Sequence, residues 1–174
     1  HQGINRGFAR LMRAERPAPL VRAAIRAWVR GAGIDLADFE DVPYRSLEDF
    51  FLRRLRPGRR QLGPGLVAPA DGVLLAQGRL TPGAPIEVKG QRLSLQRLVN
   101  GEGLHALPLT DYEGGSYAVI FLTPHGYHYI HMPAAGWVRG CQHLPGRFFP
   151  QNEDALRHIP DAIYEQNERA VLRL

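Results

Sequence analysis

Residues Tyr117–Pro133 read YAVIFLTPHGYHYIHMP, and the fold turns on how this stretch is taken. Tyr117–Leu122 is aromatic, aliphatic or β-branched and hardly alternates, which predicts a strand buried on both faces. Pro124 and Gly126 interrupt the pattern. Tyr127–Met132 resumes it, and Pro133-Ala134-Ala135-Gly136 separates it from a further strand at Trp137–Gln142. Three histidines, His125, His128 and His131, fall three residues apart. On a helix such spacing shares a face. In a regular strand His128 and His131 point to opposite faces. A metal site wants three or four convergent ligands, so the strand reading weighs against metal and none is expected. Each histidine alone reads as a core side chain with its hydrogen bonds met. Three together weaken that reading for the set.

Upstream of this stretch, Leu66–Ala68, Val73–Gln77 and Ile86–Val88 read as short strands. A turn follows at Lys89-Gly90, then a short helix at Leu93–Val99. The amino-terminal region has a different texture. Asn5–Glu15 predicts a helix with Phe8, Leu11 and Met12 on one side, broken by Arg16-Pro17-Ala18-Pro19. Leu20–Arg30 predicts an amphipathic helix. Leu20, Ala24 and Trp28 form one stripe, Val21, Ile25 and Val29 the next, and Arg22, Arg26 and Arg30 a basic stripe. Gly31 and Gly33 end it. Pro43–Leu55 predicts a third helix, with Ser46 and Asp49 in a capping arrangement and Leu47, Phe50, Phe51 and Leu55 on its apolar face. Arg53, Arg54, Arg56, Arg59 and Arg60 read mainly as a solvated basic face. The chain thus divides into a helical, basic region over residues 1–60 and a β-rich body over residues 61–174. The fold class is α+β, with a mostly antiparallel, barrel-like sheet region.

The chain has 174 residues, 44% hydrophobic and 22% charged, ordinary for a globular domain with a core. No apolar run reaches the roughly 18 residues of a membrane-spanning helix. The lone Cys141 excludes an internal disulfide and a multi-cysteine metal site, and reads as a small core residue. The net charge of +5 is concentrated: residues 1–30 hold seven arginines and one acid, Glu15. A basic end suits an anionic membrane surface or nucleic acid. The interleaved aromatic positions of single-strand binders are missing, so nucleic acid is not expected. Leu20–Arg30 fits a helix packed on its own domain. It also fits an interfacial helix, with Trp28 and the aliphatics in lipid and arginines at the headgroups.

Pro69-Ala70-Asp71-Gly72 follows a predicted strand. Asp before Gly is ordinary turn chemistry. An aspartate that orients a histidine would also fix its tautomer and support a serine's general base. Asp71 and His131 lie 60 positions apart, so spacing leaves both readings open.

Six blocks in order resemble the phosphatidylserine decarboxylases. They are Tyr44-Arg45-Ser46 through Phe50-Phe51 to Arg54-Leu55-Arg56; Pro69-Ala70-Asp71-Gly72; Lys89-Gly90 with Ser94-Leu95 and Leu98; Leu122-Thr123-Pro124 through Tyr127-His128 to His131-Met132-Pro133; Pro145-Gly146 with Phe148-Phe149-Pro150 and Asn152; and Asn167-Glu168-Arg169. The histidine block is the specific one. The resemblance implies decarboxylation of phosphatidylserine to phosphatidylethanolamine by a pyruvoyl group, made when a precursor cuts itself before one of its own serines. It implies Asp71 and His131 as the acid and base of self-processing, and His128 as a proton donor or substrate-positioning group in decarboxylation. It implies a small pyruvoyl-bearing α chain as partner and a homodimer of the paired chains. It also favours the interfacial helix, with Val21, Ile25, Trp28, Arg22 and Arg26 as membrane contacts, on a peripheral protein at the cytoplasmic face of a bacterial inner membrane. The family's Leu-Gly-Ser-Thr cleavage motif does not occur in these 174 residues. Gly115-Ser116 is no substitute, because it precedes the Tyr117–Leu122 strand. The pyruvoyl serine is therefore expected outside this sequence, on a segment beyond Leu174. The alternative is a non-catalytic lipid-binding relative.

Overall fold

The computed structural model describes residues 2–100, 108–151 and 163–174, with side chains from Gly7 onward. The chain forms two compact units, one of residues 1–73 and 121–135, the other of residues 74–120 and 136–174. The histidine segment therefore belongs with the amino-terminal helices.

In the first unit, α1 spans Gln2–Arg13, α2 Ala18–Ala32 and α3 Leu47–Phe51. Pro17 and Pro19 fit at the start of α2, where a missing N–H costs nothing. The helix runs two residues past the expected end. Gly31 stays helical, and Gly33, at φ 62°, forms the left-handed cap with its N–H on the Val29 carbonyl. Helix α3 is much shorter than Pro43–Leu55. It begins at the cap: Ser46 Oγ accepts from the Asp49 N–H at 3.0 Å, and Asp49 Oδ2 accepts from the Arg45 N–H at 3.0 Å. It stops at Phe51, after which Leu55 bridges to Phe39. Val21 and Ile25 of α2 are buried with Ile34 and Phe50, and Trp28 and Leu47 pack against them.

Two expected strands of this unit, Leu66–Ala68 and Tyr127–Met132, are segments without a full ladder. Val67 N–H donates to Pro133 O at 2.8 Å, and His131 N–H to Pro69 O at 2.7 Å. That is an antiparallel register. The return bonds would have to come from the nitrogens of Pro133 and Pro69, which carry no hydrogen. Continued two residues, the register sets Asp71 level with Tyr129.

In the second unit, β1 (Val73–Arg79, its first residue in the other unit) pairs with β4 (Ser116–Phe121). β2 (Ile86–Val88) and β3 (Gln91–Leu93) form an antiparallel hairpin. Its two-residue loop is Lys89-Gly90, with φ 49° and 76°, the positive pair a tight hairpin requires. Helix α4 spans Leu95–Asn100, and β5 (Gly140–Leu144) pairs antiparallel with β6 (Arg169–Arg173), just after α5 (Ile163–Gln166). The core is Ile86, Val88 and Leu93, with Leu75, Leu98, Tyr117 and Val119 around them. The fold is α+β, as expected. Among the described residues the strands make three two-stranded sheets and no closed barrel.

Three further expectations are corrected. β4 is not buried on both faces: Tyr117 and Val119 pack on the Ile86, Val88 and Leu93 cluster, and Ser116 and Ala118, on the opposite face, are exposed. The strand expected at Trp137–Gln142 runs instead over Gly140–Leu144, with Trp137 and Val138 exposed before it. Cys141 is exposed too; it sits opposite Leu172, itself exposed, in the pairing of β5 with β6. The Asn167-Glu168-Arg169 block is structural. The Asn167 side chain pairs with both backbone groups of Phe149, at 2.8 and 2.9 Å. Arg169 gathers the carbonyls of Leu98, Arg97, Glu165 and Asn167. Asn152 lies outside the described residues.

Candidate active site

Helix α3 and the residues just after it hold the histidine segment twice. The Phe51 ring lies 3.7 Å from the His128 ring, centroid to centroid, tilted 31°. Two residues on, Arg53 is buried, 1% exposed. Its Nη2 donates to the carbonyls of His125 and of Gly126, the latter at 2.8 Å, and its Nη1 to Phe50 O at 3.4 Å. The guanidinium lies over the Phe39 and Phe50 rings, 4.4 and 4.9 Å from their centroids. This corrects the solvated reading of the arginine run at its first member. The sequence did not set it apart: Arg54 stands at the same spacing from Phe51, and both lie past the end of α3.

His128 is half-buried. Burial pushes its pKa below 6.5, and the positive charge of Arg53 pushes the same way, against a smaller opposing effect of the Gly126 and Phe51 backbones. Its ring therefore favours the neutral form.

His131 is exposed. Its Nε2 is 2.9 Å from the Tyr127 hydroxyl, and the two rings stack at 5.5 Å and 18°. Tyr129 stacks on Tyr127 in turn, with centroids 5.2 Å apart. Burial, then the charges of Tyr129 and Asp71, raise the Tyr127 pKa, with Arg54 and Arg60 opposing. The hydroxyl stays protonated near neutrality.

Asp71 is gripped by Arg60, with Nε and Nη2 at 2.9 and 2.6 Å from Oδ2. The same guanidinium reaches Asp38 Oδ2 at 2.9 Å. Hydrogen bonds to the two carboxylates, Asp71 foremost, raise the Arg60 pKa. The structure thus brings Asp71, Tyr127 and His131 onto one pair of adjacent segments, with the Asp71 carboxylate spent on Arg60. Sequence reasoning missed Arg53, Arg60 and Tyr127 as parts of the site. His125 is exposed, and its carbonyl is the group that Arg53 holds. Among the described residues no three His, Cys, Asp or Glu side chains converge as a metal site would require.

Helix α2 turns much of the expected membrane face inward. Val21 and Ile25 are buried against Phe50, and Trp28 is half-buried, 5.5 Å from Phe50 and 6.2 Å from Phe51. A nearby apolar partner on the same chain takes up that stripe. Arg22 and Arg26 are exposed. So are Phe8, Leu11 and Leu20, at 61%, 50% and 59%. No helix among the described residues is long and apolar enough to cross a membrane.

The profile of the family described as phosphatidylserine decarboxylase matches residues 47–174. A phosphatidylserine decarboxylase proenzyme of Anaeromyxobacter sp. (strain K) is 36% identical over 97% of this chain and 59% of its own length. Those of Brevibacillus brevis (strain 47) and Bordetella avium (strain 197N) are 33% and 34% identical, over 100% and 98% of this chain and 62% and 58% of their own length. The chain spans about three fifths of the length of these curated relatives. By the profile match and by these relatives, it belongs to the phosphatidylserine decarboxylase family.

Proposed function

We propose that this chain is the larger part of an enzyme that removes the carboxylate of phosphatidylserine to give phosphatidylethanolamine, after cutting its own precursor at a serine outside these 174 residues. The observation that carries this reading is the contrast between two neighbouring histidines. His128 is shielded and favours the neutral form, whereas His131 is open and hydrogen-bonded. Self-processing needs an accessible base beside an incoming serine hydroxyl, and His131 is exposed. Tyr127 holds the His131 ring, and Asp71, on the adjacent segment and paired with Arg60, is the carboxylate assigned to stabilise its protonated form. These residues fit the making of a pyruvoyl group.

When bound, that group supplies the electron sink for the pair left as the carboxylate departs as carbon dioxide. The chain's own residues do the rest. An anionic headgroup drawing near offsets the burial and the Arg53 charge that disfavour the imidazolium, and His128 then takes a proton from solvent. It then gives that proton to the carbon that lost its carboxylate. Arginines of α1 and α2 concentrate an anionic lipid at the surface. Phe8, Leu11 and Leu20 replace Val21 and Ile25 as the side chains offered to the lipid, on a protein peripheral to the membrane.

The test is expression from the complete reading frame. The precursor should split into two chains and convert phosphatidylserine in vesicles to phosphatidylethanolamine with release of carbon dioxide. An uncut, inactive product that still binds anionic vesicles would replace this reading with that of a lipid-binding relative.

A further inference from the structure

Arg53 is a cation taken out of water with carbonyl groups as its hydrogen-bond acceptors. Burying a charge without a carboxylate is unfavourable, and burial lowers this guanidinium's pKa, though an arginine stays protonated. Its Nε, buried, has no hydrogen-bond partner. An apolar residue would suit a pocket between Phe39 and Phe50 better if filling it were the whole purpose. What the arginine adds is geometry. One rigid fork joins the end of α3, at Phe50 O, to the two carbonyls of the His125-Gly126 turn. That turn, closed by the Gly126 N–H on Thr123 O at 3.1 Å, leads directly into His128. The His128 ring meets Phe51, two residues before Arg53.

We propose that Arg53 is a positioning residue for His128: its fork locks the His125-Gly126 turn to α3 and so sets the imidazole against Phe51 at the angle turnover requires. This rests on the decarboxylase reading given above. Burial first, and then the Arg53 charge, disfavour the protonated His128 ring. Lysine carries the charge but offers a compact ammonium in place of a planar fork, so it cannot span the same carbonyls.

The experiment uses the complete processed protein and Arg53→Lys. Self-cleavage should proceed, because His131 is held by Tyr127 and Pro69. Turnover of phosphatidylserine should fall about 10- to 100-fold, the scale of a small misplacement, through kcat with KM little changed. Because lysine keeps the charge, any change at His128 comes from the ring losing burial against Phe51 once the turn slips, and its titration, followed by NMR, should move toward 6.5. Unchanged kcat and an unchanged His128 titration would overturn the proposal. Loss of self-cleavage and turnover together in a folded protein would also overturn it, by showing a role wider than the setting of His128. If Arg53→Lys does not fold, Phe39→Leu carries the test, since it removes a ring from one face of the guanidinium and lets the fork shift on its carbonyls; a smaller loss confined to kcat is then expected, and none would overturn the idea. A parent protein that forms no phosphatidylethanolamine, while Arg53→Lys still moves the His128 titration, would remove the reaction and keep the positioning contact.

Discussion

His128 and His131 are three residues apart and live in different chemical settings. His128 lies on Phe51 and feels the buried charge of Arg53; His131 is open, with its Nε2 on a tyrosine. The consequence for stability has a definite sign. The His128 pKa in the folded protein is lowered from 6.5, so below that value the unfolded chain binds more protons at this site than the folded one. Its contribution is complete above about pH 6.5 and is lost as the pH falls toward the folded pKa. Urea midpoints measured across this range should drop on acidification, and His128→Gln should flatten that part of the curve. A slope unaltered by the substitution would contradict the assignment. Arg53 shows what a sequence conceals at this scale. A run of arginines reads as solvated because most such runs are. The exception is made by the distant His125 and Gly126 carbonyls, which no local pattern shows.

Among the elements, α2 was legible because its apolar period is helical along its length, and Ser46 because cap and partner sit at the spacing a capping box needs. What its apolar face meets was not legible. The spacing of apolar side chains gives a direction relative to the helix axis and does not say whether Phe50 or a lipid lies there. The strands at Leu66–Ala68 and Tyr127–Met132 were over-read for a physical reason. Strand composition was present, but Pro69 and Pro133 stand where the return hydrogen bonds belong. The corrected face of α2 separates two substitutions. Ile25→Ala should cost about 2–5 kcal/mol, as for a buried isoleucine, measured by chemical unfolding. Leu20→Ser, at an exposed position, should leave unfolding within about 0.5 kcal/mol and weaken binding to anionic vesicles in a flotation assay. Equal effects of both on stability would contradict the packing described for α2.

At the scale of the whole molecule, the histidine segment returns to the amino-terminal helices after the chain has passed through the second unit. No local pattern encodes that return; the order of the blocks pointed to the family, and the family match covers residues 47–174. The candidate site draws on α3, the Pro69-Asp71 segment and residues 121–135, and on the proposed reading the reacting serine comes from outside these 174 residues. That reading gives His131 to the cutting of the precursor and His128 to turnover. Expressing His128→Ala and His131→Ala from the complete reading frame separates the two roles, with the fraction of precursor cleaved measured in each beside the phosphatidylethanolamine formed. His131→Ala should leave the precursor uncut, and His128→Ala should give a fully cut protein that forms little or no phosphatidylethanolamine. A His131→Ala precursor that cleaves normally, or a His128→Ala protein that cleaves and turns over like the parent, would refute the division of labour.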